Sequence, residues 1–164
     1  MSSPQSPTRH LHSSLTPLDY AYRLLARRDY SEQELSTKLL AKGFTEEAVT
    51  RTIFRLKEQK YLNDPRLAAD QIERLNAQGF GPEGIKAKLS QKGFSSETIE
   101  HALTVNEEVD SRTSARQLLA SRFSADALKQ PQIYARAFRL LLRRGYSQDV
   151  VESVLGNAPT ETEK

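Results

Sequence analysis

One eight-residue punctuation returns three times along this 164-residue chain. It reads Lys42-Gly43-Phe44-Thr45-Glu46-Glu47-Ala48-Val49, then Lys92-Gly93-Phe94-Ser95-Ser96-Glu97-Thr98-Ile99, then Arg144-Gly145-Tyr146-Ser147-Gln148-Asp149-Val150-Val151. The glycines at 43, 93 and 145 are 50 and 52 residues apart, which marks an internal repeat. The parts have separate mechanical tasks. The glycine takes the left-handed conformation that ends a helix. Thr45, Ser95 or Ser147 accepts a bond from the free amides that open the next helix. The aromatic before the cap pairs with Val49, Ile99 or Val151 four residues into that helix, a hydrophobic staple that sets the angle of entry.

A second junction lies fourteen residues before the first. Tyr30-Ser31 with Leu35 matches Phe80-Gly81 with Ile85, and Ser31 with Glu34 has the spacing of a capping box. Pro82 sits at the first helical position, where its missing N–H costs nothing. Thr16-Pro17 and Asp64-Pro65 read as a cap followed by such a proline. In the third unit the junction is a longer connection, Phe123 to Gln130, with Pro131 opening the helix. Leu35 and Leu39 match Ile85 and Leu89, then Ala137 and Leu141, while Val49, Ile53 and Leu56 make a helical stripe. No stretch alternates as a strand does. The spacing predicts nine helices at 17–28, 32–42, 46–60, 65–78, 82–92, 96–104, 108–122, 132–144 and 148–155. The expected fold is all-α: three tandem three-helix repeats at 17–60, 61–106 and 107–157, in an elongated, curved array of right or left hand. Ser/Pro-rich residues 1–16 and the polar stretch 158–164 are expected to be disordered tails.

Only 37% of the residues are apolar, below the roughly 45–50% of ordinary globular chains, which suits stacked repeats with thin shared seams rather than one deep core. With no cysteine, a disulfide scaffold, a thiolate zinc site, an iron–sulfur cluster and a cysteine nucleophile are excluded. No apolar run has the roughly 18–20 residues of a membrane span, and residues 1–14 lack the apolar stretch of a signal peptide. The expected location is the cytoplasm.

Nothing in the chain reads as catalytic or cofactor-binding. There is no Gly-rich phosphate loop, and the acids are scattered over outer faces. His10 and His12 fall in the N-terminal tail and His101 on a polar helix face, so no metal is expected. The cations are more ordered. Lys38 and Lys42 lie one turn apart, and Lys88 and Lys92 repeat them; in the third unit Leu140 and Arg144 take those places. Between Ala127 and Gln148 there are five cations and no acid, so the remainder of this +3 chain sums to 3 − 5 = −2. Arg136, Arg139 and Arg143 recur at i, i+3 and i+7 as one basic stripe. The helix dipole accounts for Lys42, Lys92 and Arg144 at helix ends, but not for that stripe. A helix-turn-helix DNA binder is the competing architecture. The third helices 96–104 and 148–155 carry acids and no Lys or Arg, leaving only 46–60, with Arg51, Arg55, Lys57 and Lys60, as a groove reader.

The run Leu24-Leu25-Ala26-Arg27-Arg28-Asp29-Tyr30-Ser31-Glu32-Gln33-Glu34-Leu35, with Lys38-Leu39 and Gly43-Phe44, resembles the first unit of the RecX regulatory proteins. Tyr61-Leu62-Asn63-Asp64 and Arg66 resemble that family's inter-unit signature, although the family commonly has an acidic pair at 63–64 and an aromatic where this chain has Leu67. Gly79-Phe80-Gly81-Pro82, Ile85, Leu89, Lys92-Gly93-Phe94 and Arg144-Gly145-Tyr146 follow in order, so the likeness spans about residues 18–155. The resemblance implies a non-catalytic, all-helical modulator of the RecA recombinase in DNA repair, homologous recombination and the SOS response. It implies binding to the RecA filament on single-stranded DNA, most often with inhibition of ATP hydrolysis, strand exchange and coprotease activity. The expected partners are that filament and DNA itself, met by a monomer. The candidates for contact are the outward cations of the middle helices: Lys38, Lys42, Lys86, Lys88, Lys92, Arg136, Arg139, Arg143 and Arg144.

Overall fold

The computed structural model describes residues 15–105 and 110–159, so the two expected tails lie almost wholly outside the described residues. Within these there are nine α-helices and no strand: α1 Pro17–Leu25, α2 Glu32–Ala41, α3 Glu46–Glu58, α4 Asp64–Ala77, α5 Pro82–Gln91, α6 Ser96–Val105, α7 Ser111–Ala120, α8 Pro131–Arg143 and α9 Gln148–Leu155. One 3-10 turn, Ala127–Lys129, bridges the connection before α8.

The repeated punctuation does what its chemistry dictates. Gly43, Gly93 and Gly145 have φ of +98°, +82° and +85°. Thr45, Ser95 and Ser147 accept from the amides of Ala48, Thr98 and Val150. The matched apolar positions form three separate cores. The first holds Leu35, Leu39 and Val49, the second Ile85, Leu89 and Ile99, and the third Ala137, Leu141 and Val151, all at most 4% exposed. Each fully buried leucine, isoleucine or valine stabilises its unit by about 1.5–3 kcal/mol.

Several local expectations are corrected. The first helix stops at Leu25 rather than 28, so Arg27 and Arg28 stand in the turn that follows. Arg28 folds back 3.7 Å over the Tyr30 ring and pairs with Glu34. That occupies Glu34, so Ser31 caps α2 without the reciprocal half of a capping box; the box in this unit is Thr16 with Asp19. The cap of α4 is Asn63, whose Oδ1 accepts from the Arg66 amide at 3.1 Å, and not Asp64. Asp64 reaches across instead to accept from the Glu32 amide at 3.0 Å. The seventh helix begins at Ser111 and is capped by Asp110; residues 106–109 lie outside the described residues. α3 closes on a left-handed residue that is not glycine, Lys60 with φ +60°.

Neighbouring units are joined at repeat-equivalent places, once through backbone amides and once through a side-chain hydroxyl. The first four amides of a helix have no partner inside it. At the start of α5 the amides of Gly81 and Glu83 donate to the carbonyls of Arg144 (2.9 Å) and Gly145 (3.1 Å), in the turn that closes α8. At the start of α2, the repeat-equivalent place, the Ser31 hydroxyl donates to the Lys92 carbonyl at 2.6 Å, in the turn that closes α5. The middle helices α2 and α5 thus each open on the closing turn of the next unit's middle helix, and positive dipole end meets negative. The joint between α5 and α8 is the tighter. A Cβ on Gly81 would lie 2.6 Å from the Gly145 oxygen, and one on Gly84 or Gly145 would overlap the facing backbone outright.

Candidate functional site

The structure separates the nine candidate cations into two kinds. Six are engaged with their own chain. Lys38 and Lys42 place their ammonium groups 5.7 Å from the Tyr30 and Tyr20 rings. Lys86 pairs with Glu83 at 3.4 Å one turn back on α5. Lys88 lies 4.5 Å over Phe80. Lys92 donates to the Gln71 carbonyl oxygen at 2.6 Å, and burial, aided by neighbouring cations, pulls its ammonium below the usual lysine value. Arg144 lies 4.5 Å over the same Phe80 ring and donates to the Gln78 carbonyl at 2.7 Å. Lys92 and Arg144 occupy equivalent places at the two joints: Lys92 takes part through its backbone carbonyl, which accepts from Ser31, and Arg144 through both its carbonyl and its side chain.

The other three, Arg136, Arg139 and Arg143, are exposed and have no hydrogen-bond or ion-pair partner among the described residues. The opposite side of α8 explains their direction. Ala137 and Leu141 are fully buried in the third core, with Phe138 packed against them. Helical periodicity then turns 136, 139 and 143 outward. No acid lies on α8, so nothing on the helix itself neutralises the stripe.

Two features of this face are not apparent in the linear pattern. Arg122, just past the end of α7, is brought beside Arg136 and Arg143 by the fold-back of the connection. Between them runs a groove of about 400 Å³ whose floor is Phe123, Ala127, Ile133 and Leu140. Leu142, 42% exposed, lines a shallow depression together with Arg136, Arg139 and Arg143. A hairpin of basic residues fourteen apart, 122 and 136, is visible in the sequence only once the connection is known to double back.

A second basic groove, about 840 Å³, lies between the first and second units. Arg28, Arg74, Lys88 and Lys92 line it together with Asp29 and Glu34, so its charge is mixed. On α3, the expected groove reader, Arg51 pairs with Glu47 at 3.3 Å and Lys57 with Glu32 at 2.9 Å. Among the described residues no three His, Cys, Asp or Glu side chains come together to hold a metal ion, and His10 and His12 lie outside those residues. No described helix is long and apolar enough to cross a membrane.

Residues 18–56, the first three helices almost to the end of α3, match the family model for the first three-helix domain of RecX. The chain is 35% identical over 162 residues to the regulatory protein RecX of Cronobacter sakazakii, covering 93% of this chain and 96% of that one. It is 34% identical over 138 residues to the regulatory protein RecX of Xanthomonas axonopodis pv. citri, covering 84% and 85%. The crystal structure of RecX from Lactobacillus salivarius superposes with a TM-score of 0.69 at 21% identity, over 85% of this chain and 92% of that one. A second solved regulatory protein RecX gives a TM-score of 0.70 at 22% identity, over 94% and 81%. These last two likenesses establish the fold.

Proposed function

As the chain belongs to the RecX family of regulatory proteins, we propose that it binds the filament of RecA recombinase on single-stranded DNA and inhibits its ATP hydrolysis, strand exchange and coprotease activity. It acts as a cytoplasmic monomer and without catalysis of its own. The units 17–60, 61–106 and 107–157 serve as successive contact modules. Joined end to end, they meet successive protomers of a repeating partner, and several weak contacts add through multivalency.

The observation that carries this reading is the unpaired stripe Arg136, Arg139 and Arg143 on a helix without acids. A chain of near-balanced charge that leaves three guanidinium groups unneutralised on one face is arranged for an anionic partner. The six engaged cations, Lys38, Lys42, Lys86, Lys88, Lys92 and Arg144, contribute to the same field from flanking positions, with Lys92 and Arg144 chiefly holding the joints.

The test is DNA-dependent ATP hydrolysis by the cognate RecA on single-stranded DNA, with this protein titrated in and a parallel binding assay on the same DNA without RecA. Loss of hydrolysis with little binding to naked DNA is expected. Unchanged hydrolysis together with tight, steeply salt-sensitive binding to the DNA alone would replace this reading by direct DNA binding of the helix-turn-helix kind.

A further inference from the structure

We infer that the groove beside α8 receives an acidic segment of a protein partner that carries one bulky apolar side chain, and that this segment, rather than a DNA phosphate, is what Arg122, Arg136 and Arg143 are placed to hold. The inference rests on the filament reading above and narrows it to which component of the partner this face touches.

The groove has two chemistries at once. Its rim is cationic: three arginines, none with a carboxylate partner among the described residues. The acid nearest the groove in the connection, Asp126, is already held by Lys129 at 2.8 Å. Its floor is apolar: Phe123, Ile133 and Leu140 are each only partly buried, Phe123 against the edge of the third core and Ile133 and Leu140 outside the cluster that Ala137 and Leu141 anchor on α8. A phosphodiester would use the rim and leave the floor wet. A carboxylate-bearing peptide with an apolar side chain uses both. The guanidinium fork matches a carboxylate with two parallel hydrogen bonds, and that pairing strengthens when an apolar group beside it excludes water. The groove's volume of about 400 Å³ is enough for one large side chain and part of the backbone that bears it.

The experiment uses the full chain and amide-shift titrations. Three probes are compared: a nine-residue Asp/Glu peptide with one central Phe, the same peptide with Ala in its place, and a twelve-residue oligodeoxythymidylate. The Phe peptide is expected to bind at least about tenfold more tightly than the Ala peptide, the ratio that burying one large apolar side chain supplies at the low end of its range. Shifts are expected to centre on residues 122–123 and 133–143. Leu140→Gln should erase the Phe-over-Ala preference. Arg122→Ala, at an exposed position that leaves folding unchanged, should weaken both peptides together. Equal affinity for the two peptides, no binding by either, or oligodeoxythymidylate binding at this face that Arg122→Ala weakens and Leu140→Gln does not would overturn the inference. Filament binding measured alongside separates the two levels. If the filament binds and depends on Arg136 and Arg143 while neither peptide does, this inference falls and the filament reading stands. If the filament does not bind either, both fall.

Discussion

Gly84→Ala tests the joint between the second and third units, because two well-understood effects push it in opposite directions. Gly84 lies in the first turn of α5. On an isolated helix an alanine there would be better than glycine by about 1 kcal/mol. In the folded chain its Cβ would overlap the Arg144 carbonyl oxygen, with the carbonyl carbon 3.0 Å away, and both are backbone atoms that cannot rotate aside. The closing turn of α8 must therefore back off by about 1 Å to regain van der Waals separation. That retreat breaks the bonds from the Gly81 and Glu83 amides, now 2.9 and 3.1 Å, and pulls Arg144 from the Gln78 carbonyl, now 2.7 Å. Three hydrogen bonds at about 1 kcal/mol net each cost about 3 kcal/mol, and the propensity gain leaves a net loss of about 2 kcal/mol. For a chain of this size that is roughly 4–8 °C in Tm. Urea denaturation measures the loss, and amide hydrogen exchange at Gly81 and Glu83 locates it. Gly43→Ala is the control: its Cβ meets nothing within 4 Å, so only its φ of +98° costs, and exchange at Gly81 and Glu83 stays as in the parent. A Gly84→Ala protein as stable as the parent, with those two amides still protected, would refute the account of the joint.

Three further predictions concern single side chains. Lys60→Gly relieves a left-handed residue with φ +60° and should raise stability by about 1 kcal/mol in denaturant titrations; a loss of stability would show that the Lys60 side chain, not its backbone, matters there. Burial raises the Asp64 carboxyl above its ordinary 3.8, against the Glu32 amide bond that lowers it, so the folded chain holds this proton more tightly than the unfolded one. Stability therefore falls as pH rises from 3.8 through the folded value, and Asp64→Asn, which can still accept from the Glu32 amide, should flatten that slope without loss at neutral pH; an unchanged slope refutes the assignment. The Tyr146 hydroxyl is buried with no protein partner among the described residues, so Tyr146→Phe should leave stability unchanged or raise it by about 1 kcal/mol, whereas a loss beyond 1 kcal/mol would reveal a partner.

Local signals carried most of the fold. A left-handed glycine, a hydroxyl cap and a staple are each specified within a few residues, and their threefold return located α2, α3, α5, α6, α8 and α9 to within about a residue at most ends. Three of the misses share one cause: a group that the linear pattern assigned to its own helix serves a neighbour. Asp64 next to Pro65 looks like a cap for α4, but its carboxylate crosses to α2. Glu34 has capping-box spacing from Ser31, yet Arg28 takes it. Gly81 and Gly84 in Gly-Pro-Glu-Gly look like a weak helix start; they are the space into which the turn at 144–145 fits. Two glycines in one helical turn were the available signal for close backbone approach, and it is ambiguous without the angle between units. The candidate site divides the same way. The stripe 136, 139, 143 is periodic and therefore legible. Which cations are already engaged depends on Tyr20, Tyr30, Gln71 and Phe80, and Arg122 joins the face only through the fold of the connection.

On the proposed function, the α8 arginines make the principal contact with the RecA filament. The most direct measurement is inhibition of RecA ATP hydrolysis on single-stranded DNA by the parent and by the Arg136→Glu, Arg139→Glu, Arg143→Glu triple variant, side by side at moderate salt. All three positions are exposed and unpaired, so helicity by circular dichroism should match the parent. The parent should suppress hydrolysis, and the triple variant should need at least about tenfold more protein for the same effect, the weakening expected when three attractive charge contacts become repulsive. Equal inhibition by the two folded proteins would contradict it.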